Sequence, residues 1–144
     1  MDQKTTGELM QLLSSAKNIS DLKQYTDALA DMTSSVTFPE YLNELMHARG
    51  VTASKLISAA QIQRNYGYQI LDGKQSPSRD KVISLCLALK LELPETQRAL
   101  TLTKNGQLYS KNKRDSILIF AFGKKLSVID TNVLLEEMNE PVLN

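Results

Sequence analysis

The chain has 144 residues, a net charge of +1, a single cysteine and few aromatics. That length suits one domain, or one domain with an appended helical layer. No apolar run approaches the ~20 residues of a membrane span, the start "MDQKTTGELM" lacks a signal-peptide pattern, and Cys86 has no internal disulfide partner. A cytoplasmic protein without thiol or redox chemistry is expected.

In chain order, helix signals dominate, and the reading is all-α with no internal repeat and no low-complexity segment. Thr5 and Glu8 form a capping box ahead of Leu9, Leu12, Leu13 and Ala16 at helical spacing. Ser20 and Asp21 start a second helix with Leu22, Tyr25, Leu29 and Met32 on one face. Residues 1–35 are thus expected to be an N-terminal helical hairpin, joined through "TSSV" to a domain over 36–104. That domain opens on a helix with Thr37 as cap, Pro39 in its first turn, Glu40 closing the box, and Val36 set to staple against Tyr41. Phe38, Tyr41, Leu42, Leu45 and Met46 form the apolar face, and Gly50 stops the helix.

Thr52 caps a short helix carrying Leu56, Ile57 and Ala60. A tight turn passes through Gln61 and Ile62, and a second short helix runs from about Gln63 to Asp72. Two short helices on such a turn read as a helix-turn-helix. "GKQSPS" is a loop, Ser78 (or Ser76, with Pro77 at the first helical position) caps the next helix, and "LPETQRAL" begins another. In the C-terminal extension, 105–144, the run "SILIFAF" is assigned to helix with Asp115 as possible cap, and Ser127 with Asp130 forms another capping box. The apolar faces there exceed what one small motif needs, so they pack on the domain or form a dimer seam.

The stretch from Gly50 to about Leu93 resembles the five-helix DNA-binding domain of phage-repressor and Cro proteins, the xenobiotic-response-element family of bacterial regulators. Leu56, Ile62 and Ile70 stand at that family's apolar positions, and Gly73-Lys74 at its glycine-basic loop. The whole chain resembles a small Firmicutes-like subgroup with an N-terminal helical segment and a C-terminal "RDSILIF...NVLLEE" tail. The resemblance implies sequence-specific binding of double-stranded DNA by a repressor-like transcription regulator, as a homodimer on a palindromic operator. Base edges would be read by Gln63, Arg64, Asn65, Tyr68 and Gln69. Phosphates would be held by Thr52, Ser54, Lys55, Lys74, Ser76, Ser78 and Arg79. Lys111, Lys113 and Arg114 are further candidates, beside a plain solvated-loop reading.

Two residues depart from the family pattern. Gln61 occupies a turn position that favours glycine, and Gly67 lies inside the second helix, where glycine costs about 1 kcal/mol. Their spacing offers an explanation for the second: Gly67 faces the preceding helix, and Ile57 fills the space a larger side chain would take. No phosphate loop, nucleophile elbow or paired catalytic carboxylate occurs, and the lone His47 has no metal-spaced partners, so no enzyme, cofactor or metal is expected. The alternative function is a helix-turn-helix scaffold used for protein interaction, as an antitoxin or adaptor, with Tyr66-Gly67-Tyr68 as its surface.

Overall fold

Helix follows helix wherever capping residues and apolar spacing recur together. The computed structural model describes residues 36–144, and the expected helices before Val36 lie outside them. Among the described residues there are seven α-helices and no strand: α1 Phe38–Arg49, α2 Ala53–Ala59, α3 Arg64–Leu71, α4 Arg79–Ala88, α5 Leu93–Leu102, α6 Lys113–Gly123 and α7 Val128–Glu137. All belong to one compact unit, Phe38–Asn144. None of these helices is long and apolar enough to cross a membrane.

Side chains cap the helix starts where the sequence places them. Thr52 Oγ1 accepts from Lys55 N, Ser78 Oγ from Lys81 N and Ser127 Oγ from Asp130 N. The cap of α6 differs from expectation. Asn112 Oδ1 accepts from Asp115 N at 2.9 Å, and Asp115 itself is buried, its carboxylate turned to Arg79.

Every helix ends on a left-handed residue: Gly50, Gln61, Gly73, Lys90, Lys104, Lys125 and Asn139. After each, the chain closes a pair of reversed hydrogen bonds, as in Leu91 N to Cys86 O with Lys90 N to Leu87 O, or Ile62 N to Ile57 O with Gln61 N to Ser58 O. This double bond satisfies carbonyls that a helix end leaves open, and it drives the next residue inward. Val51, Ile62, Leu91 and Leu126 follow four of these stops, and all four lie in or against the core.

The reading of the sequence as free of repeats is overturned by the contacts. Residues 79–109 and 114–144 form two helix-turn-helix-loop repeats at an offset of 35 residues, and they bind each other reciprocally. Arg79 grips Asp115 through both terminal nitrogens at 3.0 and 2.8 Å, while Arg114 grips Asp80 at 2.9 and 2.9 Å. The Arg79 Nε donates to Gly106 O, and the Arg114 Nε to Pro141 O. Lys90 Nζ donates to Lys125 O, and Lys125 Nζ to Lys90 O. Within each repeat the same bolt recurs: Leu108 N donates to Gln97 Oε1, and Leu143 N to Asn132 Oδ1. When residue i meets j and the counterpart of j meets the counterpart of i, the two parts are related by a two-fold axis. The helices agree, since α4 packs on α7 as α5 packs on α6.

The core runs through both repeats and under α1–α3. Leu42, Leu56, Ile70, Val82, Ile83, Leu100, Leu118 and Leu135 are among its fully enclosed side chains. Cys86 is part of it, and burial pushes its thiol up to about 12, so it packs as a small apolar residue. Asp80 lies in the inter-repeat contact. Burial there disfavours its charge, but the Arg114 guanidinium and the Asn144 N–H outweigh burial and hold the carboxyl below its usual range.

Candidate nucleic-acid interface

The shape of α2 and α3 follows from one turn. Ala60 and Ile62 are buried, so the chain must reverse between them, and Gln61 does it at φ 59° with its side chain in solvent, where Nε2 donates to Ser58 O. A left-handed non-glycine residue is strained, and the outward side chain is what makes it tolerable. Gln63 then caps α3, its Oε1 accepting from Tyr66 N at 2.8 Å.

The face of α3 is set by packing. Gly67, Ile70 and Leu71 are buried, and at 3.6 residues per turn the opposite arc holds Arg64, Asn65, Tyr68 and Gln69. A Cβ on Gly67 would meet Ile57 Cγ2 at 2.6 Å and Cγ1 at 2.7 Å, closer than real contacts allow. Glycine therefore allows α3 to lie directly on α2, as its spacing to Ile57 suggests, and the isoleucine fills the gap. Close packing fixes the rotation of α3 and so decides which side chains point outward.

Those side chains are largely uncommitted. Arg64, Asn65 and Gln69 are exposed, Tyr68 is half-buried, and Arg64 Cζ stands 5.8 Å from the centroid of the Tyr68 ring. Apart from that contact, none of the four side chains has a partner among the described residues. Gln63 is exposed but its amide oxygen is engaged in capping. Of the expected phosphate residues, Ser54, Lys55, Lys74 and Ser76 are exposed with no side-chain partner among the described residues, while Thr52 and Ser78 are exposed with their hydroxyls serving as caps. Gln75 lies exposed in the same loop as Lys74 and Ser76, a position the sequence reading passed over although it is flanked by two of the residues it chose.

Arg79 is the exception. Its guanidinium donates to both oxygens of Asp115 and to the carbonyls of Gly106 and Gln107, so its donors are consumed inside the fold. Arg114 is committed in the same way to Asp80, Pro141 and Val142, and Lys113 donates to Met138 O. The signal that could have separated Arg79 from the surface cations was the recurrence of Arg-Asp at 79–80 and 114–115. His47 is exposed at the end of α1, and among the described residues no group of three His, Cys, Asp or Glu is placed to hold a metal ion.

No protein-family model, curated protein or solved structure matches this chain.

Proposed function

We propose that α2, the Gln61 turn and α3 are a helix-turn-helix, and that the protein is a sequence-specific double-stranded-DNA-binding regulator of the repressor-like class, acting as a dimer on a two-fold operator. The observation that carries this reading is the exposed arc of α3: four side chains able to bond base edges, without competing hydrogen bonds among the described residues, on a helix locked in rotation by the Gly67–Ile57 contact. The five helices α1–α5 within residues 36–104 support it.

In this reading α3 enters the major groove. Arg64 suits a bidentate contact with guanine O6 and N7, and Asn65 or Gln69 a bidentate contact with adenine. The Tyr68 ring lies under the Arg64 guanidinium and offers an edge to a thymine methyl. Lys55, Lys74, Ser54 and Ser76 flank α3 in sequence on both sides and suit phosphate oxygens, which position the helix without reading sequence. Arg79 leaves this set because it is spent on Asp115.

Selection of bound fragments from random duplex DNA tests the reading. A recovered two-fold motif, bound with steep loss of affinity as salt rises, supports it. Recovery of no motif, together with salt-insensitive capture of one protein partner, would favour the adaptor or antitoxin alternative.

A further inference from the structure

We propose that the outer face of the second repeat, built on Phe120, Ile129 and Val133, is the seat of a second copy of this chain in a two-fold dimer. The internal repeat shows what this face is short of. In the first repeat the corresponding face is covered: Leu85, the counterpart of Phe120, is 1% exposed, and α1 lies across α5. There Arg98, the counterpart of Val133, stacks on Tyr41 of α1, and Glu95, the counterpart of Asp130, is held by Arg49 at 3.0 Å and by the Tyr41 hydroxyl through its carbonyl. In the second repeat no described residue takes the place of α1. Phe120 is 52%, Ile129 57% and Val133 51% exposed, and Asp130 has no side-chain partner among the described residues. Three large apolar side chains so exposed on one pair of helices are a patch of the kind that marks association.

Charge identifies the occupant as the same surface of another molecule. The short turn after α6 sets Lys124 at the Ile129 end of α7, where its ammonium stands 5.8 Å from the Phe120 ring and has no other partner among the described residues, and Glu136 and Glu137 close the opposite end. The face is therefore apolar at its middle, with the Lys124 cation beside Asp130 at one end and two carboxylates, Glu136 and Glu137, at the other. A two-fold axis through the middle of α7 runs the two α7 helices antiparallel and sets each Lys124 against the partner's Glu136 and Glu137. A surface that is its own complement under a two-fold operation is what an isologous dimer requires.

Sedimentation of the full chain, free of DNA, across micromolar to millimolar concentration tests this. The expected result is a reversible dimer that F120D or V133D each weakens about tenfold or more, with helical content unchanged because both side chains are already half in solvent. K124E should also weaken it, and K124E/E137K should recover it. A chain monomeric throughout the range, a dimer indifferent to both aspartates, or a charge exchange without recovery would each overturn the proposal. Only the use of the dimer on an operator rests on the DNA-binding reading, and the two fail separately. Loss of self-association in V133D with no duplex motif selected leaves the dimer and removes the DNA reading; a motif selected by a strict monomer does the reverse.

Discussion

Gly67 and Ile57 occupy one shared space: a Cβ on the glycine would stand 2.6 Å from the isoleucine Cγ2 and 2.9 Å from its Cδ1, and Ile57 is itself 3% exposed. The two residues belong to α3 and α2, so their contact sets both the distance between those helices and the direction in which Arg64 and Asn65 project.

This relationship predicts a coupling. Gly67→Ala should lower stability by about 1–2 kcal/mol, because displacing packed isoleucine branches exceeds the ~1 kcal/mol regained in helix propensity. Ile57→Ala alone should cost about 2–5 kcal/mol through the cavity it leaves. The double variant should lose less than the sum by about 0.5–3 kcal/mol, measured by urea denaturation of all four proteins. Strict additivity would mean the helices can separate freely.

Base reading predicts a loss confined to one place. Arg64→Ala should weaken binding to the selected duplex by about 1–3 kcal/mol and relax preference at one base position, with no change in the unfolding midpoint. Unaltered preference after the same change at Arg64, Asn65 and Gln69 would remove the exposed arc of α3 from the site.

Lys74 and Arg79, five residues apart, should behave oppositely. Lys74→Ala should reduce the slope of log affinity against log salt by about 1 and leave stability unchanged. Arg79→Ala should destabilise the fold by about 2–4 kcal/mol, since the buried Asp115 carboxylate loses its cation and keeps only the Tyr109 N–H. Titration of salt for the first and chemical denaturation for the second separate the two roles.

Asp80 predicts a pH dependence. Its carboxyl is held below the usual range in the fold despite burial, so its contribution to stability is fully present above the ordinary carboxylate pKa and is lost as pH falls through the lower folded value. Asp80→Asn should be less stable than the parent at neutral pH by about 1–3 kcal/mol. The gap should narrow only under acid conditions, as thermal melts from pH 7 downward would show. A gap that widens on acidification contradicts the assignment.

Lys104 predicts a gain. It holds φ 59° beyond the end of α5 with its side chain exposed and without a partner among the described residues. Lys104→Gly should remove left-handed strain of about 1–2 kcal/mol while adding unfolded-chain entropy, for a net stabilisation below about 1 kcal/mol. At Lys90 the same change should not stabilise, because its Nζ bond to Lys125 O joins the two repeats.

Local chemistry determined the helices. Thr52, Ser78 and Ser127 cap where they stand in the chain because a hydroxyl needs only the amide three residues on, and the apolar spacing of α1 already states which side is buried, whereas α4 is enclosed from Val82 to Leu87 on every side. Even the Gly67–Ile57 contact was legible, since a glycine within a helix and a bulky residue ten positions earlier imply each other once a tight turn joins them. What tertiary structure alone decided is where long side chains end. Arg79 and Lys74 are indistinguishable as sequence, yet one is locked onto a carboxylate 36 residues away and the other is exposed with no partner among the described residues. The repeat escaped notice for the same reason: it keeps the Arg-Asp pair, the left-handed Lys and a buried Thr, Thr96 and Thr131, whose hydroxyl donates to the carbonyl four residues back, but few other residues, and its symmetry exists in reciprocal contacts between distant segments. Such contacts depend on the packing of helix against helix, which no local propensity encodes.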